Sequence, residues 1–62
     1  MTEADRRDVQ SALVRLGYYG SPVDGVFGPD TRAAIRRYQH EIGGEMTGRL
    51  TADQATKLVN TR

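Results

Sequence analysis

Residues Val23 to Gln39, VDGVFGPDTRAAIRRYQ, decide how this chain folds. Gly25 and Gly28 interrupt any helix or long strand in the first half. Pro29 then stands where a helix can start, because its fixed φ suits the first turn and its missing N–H would have no intrahelical partner there. Asp30 complements the positive end of that helix. Thr31, Ala34, Ile35, Tyr38 and, beyond the stretch, Ile42 recur at helical spacing until Gly43 and Gly44 end the pattern. A glycine-rich connector feeding a helix over 29–42 is the expectation.

Working outward, Val9, Ala12, Leu13 and Leu16 form an i, i+3, i+4, i+7 stripe that predicts an amphipathic helix over 4–17. Thr2 with Asp5 resembles a cap at its start, and Gly17 supplies a left-handed residue at its end. The connector that follows carries Tyr18, Tyr19, Val23, Val26 and Phe27. Side chains of this size gain about 1.5–3 kcal/mol each on burial, so several are expected to plug the core. A third helix is predicted over 51–60, capped by Thr51, with Ala55, Leu58 and Val59 inward. VDGVFGPDTRAAI (23–35) is echoed by MTGRLTADQATKL (46–58): Gly25 matches Gly48, Phe27 matches Leu50, Asp30 matches Asp53 and Ile35 matches Leu58. One device, a glycine turn that drops an apolar anchor before a helix, is used twice. Two copies in so short a chain imply a compact domain, not a solenoid.

The predicted fold is therefore all-α, three helices around Val9, Leu13, Leu16, Phe27, Ala34, Ile35, Tyr38, Leu50, Ala55 and Leu58. A chain of 62 residues is a single domain with a thin core. It has no cysteine, which excludes disulfides, thiolate metal sites and cysteine nucleophiles. Nine basic and eight acidic residues leave a net charge of +1, too weak a field to single out nucleic acid or an anionic membrane. No apolar run reaches the roughly 20 residues of a spanning helix, and MTEADRRDVQ lacks the apolar core of a signal peptide. The chain reads as one domain excised from a larger protein.

Val9-Gln10-x-x-Leu13-x-x-Leu16-Gly17-Tyr18-Tyr19, then Val23-Asp24-Gly25-x-Phe27-Gly28-x-x-Thr31-x-x-Ala34-Ile35-x-x-Tyr38-Gln39, then Thr47-Gly48-x-Leu50 resembles the peptidoglycan-binding domain attached to bacterial amidases, carboxypeptidases, lysozymes and phage lysins. The resemblance spans nearly the whole chain, and its middle element is the specific part. It implies three helices with short connectors, binding to glycan strands or stem peptides, and a periplasmic, wall-associated or secreted location. A related fold serves as the propeptide of matrix metalloproteases, which blocks a zinc with a cysteine absent here. The motif also makes local physical sense. Asp24 can accept from following N–H groups in an Asx turn, Gly25 can take positive φ, and Gly28 would let the second helix start close against the loop. The Thr31 hydroxyl is available to a neighbouring backbone group. Gln10 and Gln39 can tie their helices to connector carbonyls.

Catalytic material is sparse. His40 and Glu41 are adjacent and project from different helix faces, so they cannot converge on a metal. Asp24 and Asp30 already have turn and helix-start roles, which weakens a glycosidase pair. Arg32, Arg36, Gln39 and His40 fall on one polar stripe, either an ordinary solvated face or a surface whose guanidinium forks pair with stem-peptide carboxylates while Gln39 bonds peptide amides. Of the adjacent tyrosines, one should be core and the other, Tyr19, should rest at the surface and offer a flat face to a sugar or lactyl group. The expected ligand-contacting set is Tyr19, Asp24, Arg32, Arg36 and Gln39, with no catalytic residue, metal or cofactor. The partners are peptidoglycan and an attached catalytic domain, with neither nucleic acid nor membrane, and the domain is a monomer. The rival reading is a module that docks on its own catalytic partner through the same residues.

Overall fold

The structure, a computed structural model, describes residues 1–61 and consists of three helices: α1 (Glu3–Arg15), α2 (Pro29–Glu41) and α3 (Ala52–Asn60). Each start follows from local chemistry. The Thr2 hydroxyl accepts from Asp5 N–H at 3.1 Å while Thr2 N–H donates to the Asp5 carboxylate at 3.0 Å, a reciprocal cap. Thr51 and Gln54 repeat it on α3 at 3.1 and 3.2 Å. Helix α2 instead begins with Pro29 after an extended Gly28. At the far end of α1 the Tyr18 N–H reaches back to the Leu13 carbonyl at 2.9 Å and Gly17 N–H to Val14 at 3.0 Å; Gly44 closes α2 likewise on Gln39 at 2.8 Å. Helix α1 thus ends two residues before the predicted Gly17, and Ile42, expected inside α2, is its exposed cap.

Val9, Ala12 and Leu13 from α1, Tyr19 from the connector, Ala34, Ile35 and Tyr38 from α2, and Leu58 from α3 form the buried core. Leu16, Tyr18, Phe27, Leu50, Ala55 and Val59 pack against it half-buried. The predicted core is thus in contact, with Leu16, Phe27, Leu50 and Ala55 at its rim. Of the connector residues expected to plug it, Val23 and Val26 are exposed.

The tyrosines exchange their expected places. Tyr19, predicted at the surface, is buried, and its hydroxyl donates to the Pro22 carbonyl at 2.9 Å. Tyr18 sits half-exposed with its ring edge-on to Tyr38, 6.3 Å between centroids, and the Arg37 guanidinium 5.5 Å from its centre. The reversal at the end of α1, where the chain leaves helical periodicity, points the second tyrosine inward. Gly28 also departs from expectation: nothing lies within 4 Å of where its Cβ would stand, so no close approach requires a glycine there.

Candidate functional site

Both connectors are fastened by a buried glutamine. The Gln10 carboxamide oxygen accepts from Gly25 N–H at 2.8 Å and Asp24 N–H at 3.1 Å. Its nitrogen faces the Val26 carbonyl at 2.9 Å, the Thr31 hydroxyl at 3.1 Å, an Asp24 carboxylate oxygen at 3.2 Å and the Tyr19 hydroxyl at 3.5 Å. Two amide protons cannot fully serve four acceptors, so Val26 takes one and the others share the second. Gln39 repeats the arrangement on the second connector: its oxygen accepts from Gly48 N–H at 2.9 Å, and its nitrogen meets Arg49 O at 2.8 Å, Thr47 Oγ1 at 3.1 Å and Gln54 Oε1 at 3.2 Å. Counted from each glycine, the partners fall at the same offsets: one before, one after and six after.

The glycines carry the close approach. Gly25 and Gly48 both have φ of 78°. A Cβ on Gly25 would stand 2.8 Å from Glu3 Cγ, and one on Gly48 would stand 3.2 Å from an Arg36 guanidinium nitrogen. Arg6 adds a bond from its Nε to the Gly25 carbonyl at 2.6 Å, which ties α1 to the first turn. Asp24 closes that turn by accepting from Val26 N–H at 2.9 Å. This backbone bond, followed by the Gln10 amide, holds its carboxyl below the ordinary carboxylate range.

The fixed connector walls an open groove of about 340 Å³ at its junction with α2, lined by Tyr19, Ser21, Pro22, Asp24, Val26, Gly28, Pro29, Asp30 and Thr31. Val26 is 64% exposed there, and Ser21 donates to the Asp30 carboxylate at 3.1 Å. The groove therefore offers apolar contact from Val26, Pro22 and Pro29 beside two carboxylates, with no basic side chain in its lining.

Of the five sequence-predicted contacts, only Tyr19 and Asp24 border this groove, and the Tyr19 ring belongs mainly to the core. Gln39 is 1% exposed and its amide is occupied by the second turn, so it leaves the polar stripe. Arg32 donates to the Phe27 carbonyl at 3.0 Å, and Arg36 lies over Gly48. Both are exposed on α2 but do not line this groove. Sequence reasoning did not find Ser21, Pro22 and Val26. The available signal was an apolar valine between two glycines, where the fixed turn denies it a place inside. A second groove of about 450 Å³ lies between α1 and α3, lined by Met1, Asp5, Asp8, Val9, Ala52, Ala55, Thr56, Val59 and Asn60. Among the described residues no group of three His, Asp or Glu side chains converges.

A family model described as "Putative peptidoglycan binding domain" matches residues 2–58. The chain belongs to that family. It is a peptidoglycan-binding domain of the kind that spore cortex-lytic enzymes carry. It is 38% identical over 60 residues to the spore cortex-lytic enzyme of Halalkalibacterium halodurans, a match covering 97% of this chain and 18% of that protein. Over 46 residues it is 50% identical to "Putative OxPP cycle protein OpcA" of Synechocystis, covering 74% of the chain and 9% of the relative. Over 49 residues it is 43% identical to the localization factor PodJL of Caulobacter vibrioides, covering 79% and 5%. The chain thus spans less than a fifth of each of these relatives. No solved structure matches it significantly. In this peptidoglycan-binding domain, Gln10, Asp24, Gly25, Thr31 and Gln39 fasten the connectors.

Proposed function

We propose that this domain performs no bond-making chemistry and holds an attached catalytic domain against the bacterial wall, using the connector groove as its principal ligand contact. The observation that carries this reading is the pre-organised groove itself. Gln10 fixes the backbone from Asp24 to Val26 before any ligand arrives, so little ordering accompanies binding. Val26, Pro22 and Pro29 suit the C–H faces of pyranose rings. Asp24 and Asp30 accept from sugar hydroxyls and N-acetyl N–H groups, charge-assisted hydrogen bonds of the stronger kind. Arg32 and Arg36, exposed on the neighbouring α2, supply guanidinium forks for carboxylates of the same polymer. Such a surface binds weakly alone and gains from a tether, which raises the effective concentration to the mM range for short linkers. The work of the domain belongs in the periplasm, the wall or outside the cell, as a monomer.

Co-sedimentation with insoluble peptidoglycan sacculi tests the reading. The folded domain pellets with sacculi, a Val26→Ser/Asp30→Ala variant pellets far less, and Arg32→Ala/Arg36→Ala weakens binding mainly at low salt. A wild-type domain that stays in solution with sacculi of several chemotypes overturns wall binding and leaves docking on the catalytic partner as the account. A groove variant that pellets fully moves the site elsewhere.

A further inference from the structure

The larger groove, between α1 and α3, has a chemistry of its own. Its apolar surface is built from small aliphatic groups, Ala52, Ala55, Val59 and the edge of the buried Val9. Asp5 and Asp8, one helical turn apart on α1, stand at its side with Thr56 and Asn60 across from them. None of the lining side chains is basic; the amino-terminal ammonium of Met1, a residue that also borders the groove, and Arg6 both act on Asp5. Asp5 is engaged in the cap with Thr2, which holds its carboxyl ionised below the usual range. The single ion pair among the described residues is Glu3 with Arg7, on another part of α1, so among those residues Asp8 borders the groove without an ion-pair partner. Flat patches of methyl groups beside two carboxylates match a short aliphatic peptide that carries an ammonium group.

Where this groove lies matters as much as what lines it. Arg6, Arg7 and Gln10 on α1 face the first connector, whereas Asp5 and Asp8 line the groove toward α3. Helical geometry puts these two sets on opposite sides of one helix, about 10–12 Å across with its side chains. A peptide must pass round the helix, half its circumference or about 16–19 Å, so at about 3.3–3.6 Å per residue some five extended residues make the passage. A wall unit is a sugar bearing a peptide arm rich in alanine and containing a diamino acid. With the sugar at the connector groove, an extended arm of about that length reaches the far side.

We propose that the groove between α1 and α3 receives the peptide arm of the wall unit, alanine methyls on Ala52, Ala55 and Val59 and the free ammonium of the diamino acid against Asp5 and Asp8. This rests on the wall-binding reading and assigns glycan and peptide to two sides of α1. The domain thereby distinguishes wall whose peptide amines are free from wall in which cross-linking has consumed them.

The test uses the ¹⁵N-labelled domain titrated with three soluble probes: a disaccharide-peptide with a free diamino-acid amine, the same compound with that amine acetylated, and a chito-oligosaccharide without peptide. Asp8→Asn is the variant, since Asp8 is exposed and makes no side-chain hydrogen bond among the described residues; its unfolding midpoint checks the fold. The free-amine probe shifts the amides of Asp8, Val9, Ala55 and Thr56. Acetylation or Asp8→Asn weakens that probe about two- to fivefold at low salt, as expected for an exposed ion pair, and the difference shrinks as salt rises. The chito-oligosaccharide shifts connector amides and leaves the α1–α3 groove unmoved. Equal affinity for amine and acetyl probes, or shifts in that groove from the sugar alone, overturns the proposal. Sacculi that pellet wild type and Asp8→Asn equally, with no groove shifts, overturn it while wall binding stands. Failure to bind sacculi at all overturns the reading beneath it.

Discussion

Removing the Gln10 carboxamide is expected to take a large part of the stability this domain has. The side chain is fully buried, and its replacement by alanine leaves at least Gly25 N–H and Val26 C=O facing a void in place of their partners. Each buried polar group left unsatisfied costs about 1–3 kcal/mol, so the pair alone comes to roughly 2–6 kcal/mol. At about 0.05–0.15 kcal/mol per residue, a chain of 62 residues has only some 3–9 kcal/mol in total. Gln10→Ala should therefore unfold at far lower urea than wild type, followed by far-UV circular dichroism, or be partly unfolded without denaturant. Gln10→Glu separates hydrogen bonding from volume. Its carboxylate still accepts from Gly25 and Asp24 N–H, but it cannot donate to Val26 O and it lies against Asp24. Burial and that neighbour raise the folded pKa of the new group above its unfolded value near 4.3. The penalty is therefore present at neutral pH and recedes as pH falls through the raised value, when the protonated acid regains a donor. A loss below about 1 kcal/mol for Gln10→Ala, or a Gln10→Glu variant that gains nothing on acidification relative to wild type, would refute the assignment of the connector's rigidity to this amide.

Three further outcomes are expected. Gly48→Ala, at φ of 78° and 3.2 Å from Arg36, should lose about 1–2 kcal/mol in urea titrations, whereas Gly28→Ala, with ordinary φ and open space, should stay within about 0.5 kcal/mol. Leu58→Ala, which removes the only fully buried side chain of α3, should cost about 2–5 kcal/mol and raise amide exchange throughout Ala52–Asn60 more than in α1. Thermal midpoints should be nearly level between pH 7 and about pH 5 and fall below about pH 4: Asp5 and Asp24 have depressed folded pKa values, so their contribution is present above the unfolded value and is lost as pH drops through the folded one. Asp24→Asn should flatten part of that acid limb, and an unchanged limb would count against the cause.

The helices were readable because their signals are local. Thr2 with Asp5, Pro29, Thr51 and the stripe through Val9, Leu13, Ile35 and Leu58 each act within a turn or two, and the structure keeps their registers. The roles of Asp24, Gly25 and Gln10 also followed from residue type, whereas Gln39, read both as a connector tie and as part of the polar stripe, is buried against the second turn. What failed was direction after a helix ends. The backward bonds from Tyr18 to Leu13 turn the chain so that Tyr19 enters the core, and periodicity carries no information about that rotation. Helical spacing puts Arg36 on an exposed stripe but does not record that the second turn folds beneath it. The α1–α3 groove escaped because it is made where two helices part, and neither sequence alone records the gap.

The fastening of the first connector also bears on how long the molecule lasts. An Asp-Gly pair such as Asp24-Gly25 is among the dipeptides prone to cyclise to a succinimide and reopen as isoaspartate, a reaction that needs the glycine nitrogen to lose its proton and attack the preceding side-chain carbon. Here that proton is committed to Gln10 at 2.8 Å, and the carboxylate is drawn toward Val26 N–H at 2.9 Å. The bonds that shape the groove thus also protect the backbone from ageing. A folded sample stored warm should accumulate isoaspartate at residue 24 far more slowly than an unfolded one.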